Sequence, residues 1–233
     1  MPRPTRKRWR DEQATGGGTL GPATLLSARQ SGTTMHNRYP EAVTREVGDH
    51  IILSPASYIN AQDTVPGNFA HKEQVVVYIA AGSYAPAASL AAFSVLLVKG
   101  DRCGNPLAPA LSFTGRSSAF TTDQRMVLLG SRQALKSLKD SSHLPALVRS
   151  DIQTLVGGLE KWMSGWKRNG WRTSSKKPVA SVDLWQDIDA LCGPLSVRAE
   201  KVKAGTGDPW HERCTHALAA ALETAVAEWQ AQK

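Results

Sequence analysis

Residues 74–80 read QVVVYIA, an apolar run led by a single glutamine and rich in β-branched side chains. A strand that is apolar at nearly every position leaves no face for water, so it has to be covered on both sides. That requirement points to a sheet lying between other layers. SLAAFSVLLV (89–98) and LSFTG (111–115) follow as further strands, with the turn material DRCGNP between them. Three strands on short links predict an antiparallel meander. Thr121 and Thr122 then stand at a capping position before DQRMVLLGSRQALKSLK, whose Met126, Leu129, Leu135 and Leu138 recur at helical spacing. HLPALVRSD predicts a fourth strand, TLVGGLEKWMSGW a helix broken at Gly-Gly, SVDLWQDIDALC a short capped helix, and LSVRAEKVKA a fifth strand. Pro209 to Gln232 closes the chain as a long helix. The order β-β-β-α-β-α-α-α-β-α is that of a mixed α/β sheet between helices.

Upstream of residue 73 the texture differs. Residues 1–45, with GGG at 16–18 and five cations in the first ten positions, read as a disordered basic tail. Residues 46–72 hold one short strand candidate in GDHIILSPASYINAQ and read as an extension packing on the domain formed by 73–233. The opening MPRPTRKRWRDEQ has no apolar core behind its cations and does not read as a secretory leader. No apolar run approaches the ~20 residues of a membrane span. Cys103, Cys192 and Cys214 are odd in number and share no metal-like spacing, so each is expected to be a free buried thiol in a reducing compartment. An intracellular protein is expected; nucleus and mitochondrion are both open.

A formal charge of +8 favours polyanions. Its placement says more. KWMSGWKRNGWRTSSKK (161–177) carries Lys161, Lys167, Arg168, Arg172, Lys176 and Lys177 with no acid, and threads Trp162, Trp166 and Trp171 between them. Cations spaced by aromatic faces suit a nucleic-acid backbone.

Four stretches resemble the type 1 ribonuclease H family, in the family's order: FTTDQRMVLLGSRQAL, RSDIQTLVGGLEKW, WMSGWKRNGWRTSSKKPVASVDLW and GDPWHERCTHALAAA. The resemblance runs from about residue 74 to the end. It implies a ribonuclease H-like fold: a five-stranded mixed sheet, antiparallel meander then parallel strands, flanked by helices. It also implies that residues 162–185 hold the family's basic handle. Handle cations would follow phosphates, and tryptophan faces would cover sugar and backbone atoms. The competing role for the tryptophans is that of partly buried struts, and Trp162 is expected to be one.

The family cuts the RNA strand of RNA–DNA hybrids with two Mg²⁺ ions held by four carboxylates, assisted by a mobile histidine. Two such ions about 4 Å apart repel by on the order of 15 kcal/mol at an effective dielectric of 20, so several carboxylates must converge. Carried across, the first aspartate falls on Ala80, or on Ala81 if Gly82-Ser83 is aligned instead; the glutamate falls on Val127, the second helix aspartate on Thr215 (His216 with a one-residue shift), and the histidine on Gly205. Asp151 alone is retained as a catalytic carboxylate, expected to hold metal weakly at best. Asp208, His211, Glu212 and His216 are the neighbours that could substitute, with His211 and His216 expected as a surface pair at a helix start. Candidate nucleic-acid contacts are Thr122, Arg125, Gln153, Trp166, Lys167, Arg168, Trp171, Arg172, Lys176 and Lys177. The RNA-reading loop of the family is replaced here by Tyr84-Ala85-Pro86-Ala87-Ala88, without its Asn and glycines.

The main expectation is a catalytically degenerate ribonuclease H-like protein that binds RNA–DNA hybrid, duplex or structured RNA, alone or in a nucleoprotein assembly. It would need no cofactor and no membrane. An active endonuclease with displaced ligands, using Mg²⁺, is the second reading. A protein-interaction scaffold or relict without nucleic-acid function is the third.

Overall fold

The computed structural model describes residues 45–47, 50–67, 69–84, 90–117, 121–139, 144–203, 205 and 207–231, all within the unit Arg38–Lys233. Apart from Arg45, the expected tail over 1–45 lies outside these residues, as does the loop Ala85–Ala88.

The apolar run becomes the long strand β4 (Glu73–Ser83), preceded by the short strands β1 (Arg45–Val47), β2 (Ile51–Leu53) and β3 (Ser57–Ile59). The strands β5 (Ala91–Asp101) and β6 (Ala110–Ser117) complete the meander. Next come α1 (Asp123–Leu138), β7 (Ala146–Ser150) and α2 (Gln153–Gly157). A π-helical turn (Gly158–Trp162), α3 (Met163–Arg168), α4 (Val182–Cys192), β8 (Val197–Lys201) and α5 (Pro209–Ala231) follow. The sheet order is β1-β2-β6-β5-β4-β7-β8, with β3 also paired to β6. β4 runs antiparallel to β5 and parallel to β7, which is parallel to β8.

Side-chain alternation along β4 divides the core in two. Val75, Val77 and Ile79 join Phe93, Val95, Val127, Leu155, Trp185 and Ile188 in a cluster beneath α1, α2 and α4. Val76, Tyr78 and Ala80 join Leu96, Val98, Trp210 and Cys214 beneath α5. The strand is buried on both faces, as its composition requires.

The five expected strands are β4 to β8. The extension adds three more, so the sheet has eight strands. β2 and β3 lie one after the other along β6, antiparallel to it, so this stretch widens the sheet as well as packing on it. Strands of three residues carry too little alternation to be read from sequence. Residues 60–70 also cap the second core cluster. Val65 and Phe69 are buried there, Val65 N donates to Gly104 O at 2.8 Å, and Trp210 Nε1 donates to the Asp63 carbonyl at 2.8 Å. Each buried apolar side chain is worth about 1.5–3 kcal/mol, so the extension contributes substantially to stability.

The Gly-Gly interruption has a packing cause. A Cβ on Gly158 would lie 2.1 Å from the Trp185 ring, and one on Gly157 would lie 2.6 Å from Trp162. Two indoles press against the backbone where only hydrogen leaves room. The helix does not stop there; it widens into the π turn, and the Glu160 carboxylate accepts a bond from the backbone N–H of Ala199 on the edge strand β8. At α4 the expected cap fails: Ser181 sits in left-handed backbone (φ 54°) and makes no side-chain capping bond.

Candidate nucleic-acid interface

β4 and β7 are paired in parallel with Tyr78 opposite Arg149, which brings Ala80 level with Asp151 just past the end of β7, while β4 runs on to Ser83 against β5. The two alternatives for the first carboxylate position face opposite ways. Ala80 is buried toward Cys214 and α5, whereas Ala81 is half-buried against the cluster that contains Val127. Val127 is fully buried on α1. Thr215 is half-buried, its hydroxyl donating to Glu212 O at 2.8 Å. Gly205 is exposed with φ 72°, a left-handed conformation that a histidine would adopt only with strain. Asp151 is half-buried directly after β7.

These groups amount to one carboxylate, a methyl, an isopropyl and a hydroxyl that already has a partner. Mg²⁺ needs an octahedral set of oxygens, and two ions need several shared carboxylates. The donor set around Asp151 does not fit a pair of Mg²⁺ ions. Among the described residues no three His, Cys, Asp or Glu side chains converge as a metal centre would need.

The proposed substitutes are placed differently from expectation. Asp208 is buried and caps α5: one carboxylate oxygen accepts from the N–H groups of Trp210 (3.0 Å) and His211 (3.2 Å), the other from the Tyr78 hydroxyl (3.0 Å). Arg149 Nη1 donates to the Tyr78 oxygen at 3.2 Å and lies 3.7 Å from Asp208. Burial, helped by the Asp208 charge, pushes the Tyr78 phenol well above its usual range. His211 is only 2% exposed while His216 is exposed, so they are not a surface pair. The reason is the rotation of α5, which turns position 211 inward.

The thiols also separate. Cys214 is buried, with Sγ 3.5 Å from Ser94 O, and burial pushes its pKa up to about 12. Cys192 is half-buried and raised by burial to about 11. Cys103 is exposed, against the expectation that every thiol is covered.

Thr122 caps α1, its hydroxyl oxygen accepting from Arg125 N at 3.2 Å. Arg125 forms a two-pronged pair with Asp183 at the start of α4 (2.7 and 3.2 Å), and that guanidinium holds the Asp183 carboxyl below the usual range. Gln153 is exposed as the first residue of α2. In residues 161–177, expected to hold the handle, Trp166 is wedged between Trp162 and the buried Trp185, with ring centroids 5.9 and 5.2 Å apart. Trp171 is half-buried against the first core cluster in left-handed backbone (φ 60°). Trp162 is 40% exposed and the most open of the three, yet its ring presses on the Gly157 backbone, and Trp166 is more deeply wedged. Lys167 Nζ is 2.7 Å from Asp189 of α4. Arg168, Arg172, Lys176 and Lys177 are exposed, and within the described residues none of the four is in an ion pair. Arg172 Nη1 instead donates to the carbonyl of Lys176 at 3.0 Å. The aspartates of α4, which dock on Arg125, Arg132 and Lys167, are the residues that sequence reasoning missed. Their spacing on one helix was visible, but their partners were not.

The comparisons with known proteins agree with this architecture. The family model RNase H matches residues 72–223. Ribonuclease H of Escherichia coli (strain K12 / DH10B) is 36% identical over 136 residues, 54% of this chain and 86% of that protein. The enzyme of Shigella boydii serotype 18 matches equally. Among solved structures, LC9-RNase H1, a type 1 RNase H with the type 2 active-site motif, has a TM-score of 0.55 at 18% identity, covering 68% of this chain and 76% of that one. The foamy viral protease-reverse transcriptase bound to an RNA/DNA hybrid has a TM-score of 0.52 at 13% identity, covering 71% of this chain and 23% of that one. The chain belongs to the ribonuclease H family, with a type 1 ribonuclease H domain over residues 72–223.

Proposed function

We propose that this protein binds an RNA–DNA hybrid or structured RNA inside the cell, through its handle and the N-terminus of α1, and does not cut it. The observation that carries the reading is the contrast in side chains on one domain. Exposed Arg168 ends α3 and exposed Arg172, Lys176 and Lys177 lie on the short hairpin that follows, while among the described residues no metal-holding group of three His, Cys, Asp or Glu includes Asp151. A solved structure of similar fold, the foamy viral protease-reverse transcriptase, is in complex with RNA/DNA hybrid, which supports a nucleic-acid partner. Backbone contact through cations accounts for affinity without a reaction, and assembly into a nucleoprotein particle would use the same face. Among the described residues no helix is long and apolar enough to cross a membrane.

The test is a paired gel-shift and cleavage assay on RNA–DNA hybrid, double-stranded RNA and double-stranded DNA, with Mg²⁺ or Mn²⁺ present. The expected result is a salt-sensitive shift with intact strands. Metal-dependent cutting that disappears in Asp151→Asn would refute the proposal.

A further inference from the structure

Residues 172–178 form a small hairpin at the handle tip. Arg172 and Pro178 make an isolated antiparallel bridge, Thr173 N donates to Lys177 O at 2.9 Å, and Lys176 N donates to Thr173 O at 2.9 Å. Ser174 and Ser175 are the two central residues of that turn, and both are exposed. Thr173 is half-buried and its hydroxyl also lies 3.2 Å from Lys177 O; the 3.0 Å contact between Thr173 Oγ1 and Ser175 Oγ is shared by both. Arg172 stands three residues before Ser175, and Lys176 and Lys177 follow it directly.

We propose that Ser175 is a phosphorylation site for an arginine-directed protein kinase, and that its phosphate switches off the binding surface described above. The inference deepens the proposed function and rests on it. In the reaction the Ser175 oxygen attacks the γ-phosphorus of a nucleoside triphosphate. The new O–P bond replaces the one to the β-phosphate, the hydroxyl proton passes to the kinase's base, and nucleoside diphosphate leaves.

Two features favour Ser175 over Ser174. A basic residue three positions upstream is what an acidic pocket on such a kinase selects, and for Ser175 that residue is Arg172. Lys176 and Lys177 also follow Ser175 directly in the chain. A phosphate carries about −1.5 to −2 charges at neutral pH and accepts several hydrogen bonds. Placed here, it would occupy Arg172, Lys176 and Lys177 from within the protein and repel nucleic-acid phosphates. About two fewer counterions released on binding make the dependence of log affinity on log salt shallower by roughly 1.5–2 units. That corresponds to on the order of tenfold or more weaker binding near 0.1 M salt.

The experiment uses the full chain, an arginine-directed kinase with Mg-ATP, and mass spectrometry to locate phosphate. Hybrid binding is then titrated across salt for the modified protein, the unmodified protein and Ser175→Asp. The expected result is phosphate on Ser175, none there in Ser175→Ala, and a shallower slope for the modified protein, with Ser175→Asp intermediate. No modification at Ser175 would overturn the inference. An unchanged slope after modification would also overturn it, while leaving the handle reading intact if the unmodified protein binds with a steep slope. A flat salt response from the unmodified protein would sink both.

Discussion

The end of β4 and the handle are two surfaces of one domain, and they differ in what their side chains can do with charge. Level with Asp151 on β4, Ala80 and Ala81 offer only methyl groups, as does Val127 on α1, and among the described residues no group of three His, Cys, Asp or Glu forms there. In residues 168–177 four cations face solvent, Arg168 at the end of α3 and the other three on the hairpin, beside a cluster of tilted and edge-on indoles. Metal chemistry is cooperative, because two divalent ions are tolerated only when several carboxylates act together. Phosphate binding is closer to additive, because each cation releases its own counterions. On the proposed reading, loss of a few carboxylates would disable the first kind of site, whereas the second would degrade gradually.

That contrast can be broken most directly at the handle. Replacing Arg168, Lys176 and Lys177 with Gln is expected to make the salt dependence of hybrid binding about 2–3 units shallower, a loss on the order of a hundredfold near 0.1 M salt. Lys167→Gln should cost less than Arg168→Gln, because Asp189 already holds Lys167. Equal losses in a side-by-side titration would contradict the ion pairing.

Next in size is the foot of the handle. Gly158→Ala puts a Cβ within 2.1 Å of Trp185, and should cost about 3 kcal/mol, lowering Tm by roughly 6–12 °C. A calorimetric scan that matches the parent protein would show that the indole has room to move.

A smaller effect is expected in acid. The Asp183 carboxyl is held down by Arg125, so its folded pKa lies below its unfolded value. Its contribution is present at neutral pH, where the carboxylate is charged in both states, and is lost as pH falls through the carboxylate range. Asp183→Asn should remove a little of the acid sensitivity of Tm between about pH 5 and 3 and leave the rest. The pair is partly exposed, so solvent screening keeps the change slight.

The smallest effects belong to the strand end. Asp151→Asn should leave hybrid affinity the same or slightly tighter, since it removes a negative charge and no ligand set. In the native protein a thiol reagent should label Cys103 promptly, Cys192 slowly and Cys214 only on unfolding, because burial pushes the last two thiols up to about 11 and 12. Rapid labelling of Cys214 would mean that the end of β4 is open to water.

The sequence by itself determined the central strand, the order of elements from residue 73 and the family. Those signals are local: an apolar run has one way to be buried, and the Trp-Lys-Gly spacing of the handle is a contiguous pattern. It also raises the expectation, on which the proposed function draws, that carboxylates beside Asp151 are lacking. Other features were decided by tertiary structure alone. Of the three short strands, β2 and β3 join the sheet because the β6 edge is there to pair with, and β1 then pairs with β2. His211 is buried and Asp208 is committed to Tyr78 and Arg149 because of how α5 is rotated against β4. Trp162 is exposed and Trp166 is wedged because Trp185, which follows in α4, claims the space above Gly158. Each of these depends on partners distant in the chain, and no window of neighbouring residues carries that information.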